Sequence, residues 1–291
     1  MREWSPTRPA TGLDGRVDER PPTPRAMSLD VALEAPLHPL MRHVIERGLQ
    51  RGFRFFVPDE HHAEVVADFA AARIAFPHQL LTMSSAPASS LQLKVLEPTS
   101  EHGRQAIQIH VSHRTGDQLA GAPHCQIHVH DLLPANPEGS TMEVFRRWMN
   151  DDSSTEGQAS LGGYWCSITD VAEALIRFLA HPTFDDVNYH VSGRRYWSAE
   201  ETREEFLALA RRTDAGRTGN FAIHHLETAQ LQSVSVEAVD SANRPPERPD
   251  LGSFHRHLEV TTGEGWRPTM PLRQTLMLVL ADLEGVTRGV R

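Results

Sequence analysis

Histidine is the residue type in this chain with the most chemistry to offer. There are 17 among 291 residues, and imidazole both exchanges protons near neutral pH and serves as the commonest metal ligand. The densest group is His124-Cys125-Gln126-Ile127-His128-Val129-His130-Asp131. On a strand, side chains two apart share a face, so His128 and His130 point to one side and His124 joins them. Imidazoles on one face can hold zinc or another transition metal. No metal is expected from the spacing alone. The pairs His61-His62 and His224-His225 are adjacent, and no regular element turns both members to one side, so surface placement follows. Asp170 stands at an expected helix start, where a carboxylate can cap N–H groups and complement the helix dipole.

The elements that must position these residues begin at Asp30. From there to Asp59 the chain reads as strand, tight turn, helix and strand. Met41, Val44, Ile45, Gly48 and Leu49 share one helical face. Val31 to Leu33 is a short apolar run, and Phe53 to Val57 is aromatic and β-branched. This is the opening of a Rossmann-type βαβ unit. Further along, 60–75 reads as a helix with Val65, Val66, Phe69 and Ala70 inward, Gln79 to Met83 as a strand, and Tyr189 to Gly193 as another. Ser198-Ala199-Glu200-Glu201 is a capping box opening a helix that turns Phe206 and Leu209 inward. Loops are expected at Arg211 to Asn220 and Asp240 to Leu251, with a strand from Gln232 to Val239 between them. Leu272, Thr275, Leu276, Val279, Leu280 and Leu283 form a helical stripe that belongs in a core.

Several segments, taken in order, resemble the extended short-chain dehydrogenase/reductases, especially the dTDP-4-dehydrorhamnose reductases and related sugar-nucleotide enzymes. Leu81 to Ala86 looks like the strand ending at the catalytic hydroxyl, and Glu97 to Ala106 looks like P-x-S-x-Y-G-x-x-K. The resemblance then implies Ser84 or Ser85 as the hydroxyl, His102 in the place of the tyrosine acid and Ala106 in that of the lysine. It also implies a helix there, on which Ala106, His110 and His113 would share a face with His102 near its start. His128 and His130 fall where a pocket arginine and asparagine stand in R-x-x-N-V-Y-G-P, with Pro134 as the proline. Tyr164 to Leu175 is similar to the strand and helix around V-x-D-V-A-x-A, and Gly265-Trp266-Arg267-Pro268 to the ending G-W-x-P. On this match His110, His128, His130 and Asp170 line the substrate side.

The same alignment places the three glycines of G-x-x-G-x-x-G at Ala35, His38 and Met41, none of which is glycine. Those glycines supply unusual backbone angles and close approach to a pyrophosphate, while Pro36 and Pro39 remove N–H groups near the helix start. The expectation is an α/β fold: a Rossmann-like doubly wound parallel sheet with a smaller C-terminal substrate lobe, its cofactor half abridged. Residues 1–27 are expected to be a disordered leader, 28–160 the Rossmann-like domain, and 161–291 a mixed region that closes the sheet and forms the lobe.

Composition bounds the function. A chain with 39% hydrophobic residues can bury a sizeable core, and a net charge of −9 disfavours general nucleic-acid binding. Two cysteines fit a reducing cytoplasm, and there is neither a bilayer-length apolar run nor a signal-peptide pattern. The leading expectation is an enzyme without a cofactor that performs a non-redox isomerisation, cyclisation or elimination on a small molecule. The alternatives are an NAD(P)-dependent reductase or epimerase and a non-catalytic partner subunit. In the family it resembles, members pair through helices while reductase-type members can be monomers, so a homodimer stays open.

Overall fold

The computed structural model describes residues 29–101, 104–113, 125–135, 139–150, 162–184, 187–223 and 246–289. The first unit is strand β1 (Asp30–Leu33), helix α1 (Pro39–Gln50) and strand β2 (Arg54–Val57). Helices α2 (Asp59–Asp68) and α3 (Ala70–Ala75) lead to β3 (Leu80–Thr82) and a 3-10 turn (Met83–Ser85). Next come β4 (Leu91–Glu101), β5 (Arg104–His113), β6 (Cys125–His130), β7 (Leu132–Leu133) and α4 (Ser140–Met149). The remainder is β8 (Cys166–Ser167), α5 (Ile168–Leu179), β9 (Asn188–Val191), α6 (Ala199–Thr218), α7 (Gly252–Thr262) and α8 (Leu272–Gly289).

Seven strands form one sheet in the order β3-β2-β1-β4-β5-β6-β9. Neighbours are parallel except at β4–β5 and β5–β6, so β5 alone runs against the other six. The expected fold class is observed: a mostly parallel central sheet flanked by helices, compatible with a Rossmann-like architecture. None of the helices is both long and apolar enough to cross a membrane, among the described residues.

Register shows how the two faces differ. Phe55, Val31, Leu91 and Leu93, then Val111, Ile109, Cys125, Ile127, Tyr189 and Val191, are cross-strand neighbours on one face and belong to one buried cluster. Helix α1 adds Met41, Val44, Ile45 and Leu49, and α5 adds Val171, Leu175 and Phe178. Gly48 is needed where α1 meets the sheet: a Cβ there would lie 2.3 Å from Phe55 Cζ and 3.0 Å from Ile176 Cδ1. A second apolar cluster lies past β6, where α4, α6 and α8 bring together Leu133, Phe145, Trp148, Phe206, Leu276 and Val279. The expected stripe on α8 is buried throughout, from Leu272 to Leu283. The Ser198 capping box is also present, with the Glu201 N–H donating to Ser198 Oγ at 3.1 Å and the Ser198 N–H to Glu201 Oε2 at 2.8 Å.

Three local expectations are corrected. The segment carrying Ala106, His110 and His113 is not a helix: it is strand β5, paired antiparallel with β4. The two-residue alternation Leu91, Leu93, Val95 and Ile107, Ile109, Val111 governs, because strands joined by so short a connection bury one whole face together. The strand expected from Gln79 to Met83 is confined to Leu80–Thr82, with Met83 in the 3-10 turn, and it is the outermost strand of the sheet, beside β2. Arg211 to Thr218 continues α6, which ends at Gly219 with φ 73°. The expected strand at 232–239 lies outside the described residues.

Candidate functional site

The opposite face of the sheet is where the histidines gather. Polar partners line up across it: Glu34, Lys94, His110, Gln126 and Asn188 in one row, and Gln108, His128 and His190 in the next, with His130 beyond. A fully parallel sheet covered by helices on both sides carries apolar residues on both faces; here the second face is apolar over β1 and β2, where Ala32 and Phe56 are buried, and hydrogen-bonding over β4, β5, β6 and β9. Glu34 Oε1 accepts from Gln92 Nε2 at 2.5 Å, and Glu34 Oε2 lies 3.3 Å from Lys94 Nζ.

The geometry is tightest at three imidazoles. His130 Nε2 and His190 Nδ1 are 3.0 Å apart, a distance at which one ring donates and the other accepts. The His128 ring stacks on His190 at 4.9 Å between centroids, and lies 6.4 Å from that of His130. His128 and His130 are buried, while His190 and His110 are partly open. Burial, then the nearby Lys94 charge and then His128 hold the His110 imidazole below its ordinary pKa, with Glu34 opposing. His110 is therefore biased toward the neutral form, which accepts a proton. Among the described residues no group of three or more His, Cys, Asp or Glu side chains could hold a metal ion.

Just beyond His130 the chain turns through Asp131, whose φ of 52° makes it the one non-glycine residue with positive φ among the described residues. Its Oδ2 accepts from the Tyr164 N–H at 2.7 Å, and a Cβ on Gly163 would lie 3.0 Å from Asp131 Cγ. The end of β6 is thus clamped against the start of β8, which fixes His130.

The expected site residues do not all meet. His110, His128 and His130 share the polar face. Ser84 and Ser85 are exposed after β3, where Ser84 Oγ lies 3.1 Å from Thr82 Oγ1 and Ser85 Oγ donates to the Thr82 carbonyl at 2.7 Å. From β3 to β6 is five strand steps, about 24 Å at the usual spacing, so these hydroxyls do not reach the histidines. His102 and His124 lie outside the described residues.

Asp170 has structural work. Its Oδ2 accepts from the N–H groups of Thr269 at 3.1 Å and Met270 at 2.9 Å, and its Oδ1 from Thr269 Oγ1 at 2.8 Å. The start of α5 is capped instead by Ser167 Oγ, which accepts from the Thr169 N–H at 3.2 Å. Asp170 therefore ties the segment before α8 to α5. Nearby Gly265 is a packing residue, since a Cβ would meet the His255 ring at 2.1 Å, and Trp266 Nε1 donates to the Ser192 carbonyl at 2.8 Å.

The bend from Ala35 to Met41 holds the start of α1 without glycine. His38 is the N-cap at φ −60°, ψ 133°, and its Nδ1 accepts from the Leu40 N–H at 3.2 Å. Pro39 opens the helix and contributes no N–H, Met41 is wholly buried, and Ala35 is partly exposed.

The sequence reading missed His190 as a partner of His128 and His130. Its signal was there in Tyr189-His190-Val191, a polar residue between two core residues, but the pairing of β9 with β6 could not be read locally. Comparison with protein-family models and with curated proteins finds no match.

Proposed function

We propose that the protein is an enzyme acting on a small polar molecule through a non-redox step, an isomerisation, cyclisation or elimination, without a nicotinamide cofactor. The observation that carries this reading is the hydrogen-bonded pair His130 and His190 with His128 stacked on it, on a polar sheet face. Two imidazoles sharing a proton resist being charged together, because like charges at that distance repel. One ring can then release a proton as the other accepts one, which is what moving hydrogen between two atoms of a substrate requires. Neutral-leaning His110 on the next row supplies a second base, and Gln108 and Gln126 supply hydrogen bonds that orient a polar substrate.

Support for a reaction without dinucleotide comes from the start of α1. Anions are held at a helix N-terminus by free N–H groups, and there His38 already accepts from one while Pro39 lacks another. Ser84 and Ser85 take no part in this step, because they sit too far from the histidines.

The test has two arms. Titration calorimetry with NAD(H) and NADP(H) should give no heat of binding; saturable binding of either would overturn the dinucleotide-free reading. A thermal-shift panel of polar metabolites should yield ligands that stabilise the wild type and no longer stabilise His190→Gln or His110→Gln. Ligands indifferent to both substitutions would move the site elsewhere.

A further inference from the structure

We propose that Lys94, held in place by Glu34, anchors the anionic group of the substrate, which makes that substrate an organic acid carrying a carboxylate or a phosphate. The inference rests on the reading that the histidine row is the functional site, and adds the chemical class of molecule the row takes. Lys94 stands directly opposite His110 in the β4–β5 pairing, and His110 opposite Gln126 in the β5–β6 pairing. Neighbours of this kind on one face have Cβ atoms about 5 Å apart. Ammonium, imidazole and amide can therefore touch one and the same ligand group.

The electrostatics give the sign of that group. Glu34 has both oxygens engaged: Oε1 accepts from Gln92 Nε2 at 2.5 Å, and Oε2 lies 3.3 Å from Lys94 Nζ. The Glu34 side chain is 24% exposed against 48% for Lys94, so the carboxylate sits at the base of the pair and the ammonium keeps further N–H donors for a ligand. After burial, Lys94 is the largest influence on the His110 imidazole, holding its pKa down more strongly than Glu34 raises it. A group lodged between Lys94 and His110 thus meets a positive potential, and a neutral imidazole beside it offers an N–H.

Strand order sets the size of the acid. From the gap between Lys94 and His110 to the stack of His128 and His190 is two strand steps across and one row along, about 12 Å at the usual spacings. An acid anchored at Lys94 places its far end over His130 and His190 and leaves the proton between them where it is. The bound anion also opposes Lys94 at His110. It raises that imidazole's pKa, so binding takes up a proton and strengthens as pH falls from the liganded to the unliganded pKa of His110. The groups facing His110 are Lys94 from β4, Gln126 and His128 from β6, and Glu34 beyond Lys94; among these the anion pairs with Lys94.

The experiment uses the full chain and follows the carbon–proton signals of the histidine rings by NMR, with the His110 signal identified by its loss in His110→Gln. The probes are acetate, for a carboxylate, and sulfate, which stays doubly charged through the titration and stands in for a phosphate ester. Chloride at equal ionic strength is the control for screening. The expected result is a saturable rise of the His110 pKa with one of the two anions, and the tighter of them names the source of the charge. Lys94→Gln should weaken that anion about fivefold or more and abolish the rise; Lys94→Arg, which keeps the charge, should restore it. Lys94→Met replaces Lys94→Gln if the latter fails to fold. Acetate and sulfate that act no more than chloride, or a response that survives loss of the Lys94 charge, would overturn the anchor. Polar metabolites that depend on His190 yet bind Lys94→Gln as tightly as the wild type would sink the anchor and keep the histidine row. Anions that need Lys94, in a protein whose metabolite ligands ignore His190, would keep the anchor and move the chemistry away from the histidine pair.

Discussion

Asp170 allows a sharp separation of scaffold from site. It holds three donors from Thr269 and Met270; in Asp170→Ala those donors turn to water. Hydrogen bonds to a charged acceptor are each worth about 1.5–3 kcal/mol when buried. Two of these are solvent-exposed and one is partly buried, so solvent recovers much of that. Their combined loss, with that of a carboxylate in the first turn of α5, comes to about 2 kcal/mol. Asp170→Asn should cost under about 1 kcal/mol, because its amide oxygen can take the Oδ2 position and accept both backbone N–H groups. The amide nitrogen then faces Thr269 Oγ1, which reverses its role and accepts. Urea unfolding at neutral pH measures the difference, and the melting temperature of the alanine variant should fall by several degrees. Equal stability of wild type and Asp170→Ala would refute the tie and return this carboxylate to the list of substrate contacts.

Gly48→Ala sets two opposed effects against each other. Alanine favours a helix over glycine by about 1 kcal/mol, yet its methyl would need the space held by the buried Phe55 ring, and overpacking costs about 1–3 kcal/mol. The net expectation is a destabilisation of about 1 kcal/mol in chemical denaturation; a stabilised variant would show that α1 is not seated on the sheet as described. Cys125 and Cys166 are buried, and desolvation raises both thiols, Cys125 to about 12. Neither should react with a thiol reagent in the native protein, while both should react once it is unfolded. Rapid native labelling at neutral pH would contradict their burial.

What was legible in the sequence follows from how local each signal is. The βαβ opening, the stripe on α8 and the Ser198 capping box depend on spacing within one element, and all three stand in the structure. The hairpin of β4 and β5 was hidden by a match of single residues to a helical motif: the P-x-S-x-Y-G-x-x-K reading weighed His102 and Ala106 above the alternation of Leu91, Leu93 and Val95. The candidate site was half readable for a related reason. The shared face of His128 and His130 follows from their separation by one residue, whereas His190 joins them only through a pairing 60 residues away. The separation of Ser84 and Ser85 from the histidines depends on strand order, which no local pattern contains.

The hairpin and the histidine face have one cause. A crossover between parallel strands of one sheet ordinarily carries a helix that covers the sheet with apolar contacts, and an antiparallel hairpin needs none. Here residues 83–90 join β3 to β4 with one 3-10 turn, and β4 joins β5 through a two-residue connection, so neither link supplies an α-helix. A strand face without such a cover must present groups that water or a ligand can satisfy, since an apolar face left open would associate with other surfaces. Gln108, His110, Gln126 and His190, all partly exposed, meet that requirement where leucine or valine would not, whereas His128 and His130 are buried within the same face. Filling the row with apolar residues, for example His110→Leu together with Gln126→Val, should therefore leave the β4–β5–β6 pairing intact yet make the protein prone to self-association. Light scattering that showed a monodisperse double variant would mean that another part of the chain covers this face, and the histidines would then be core residues without a site.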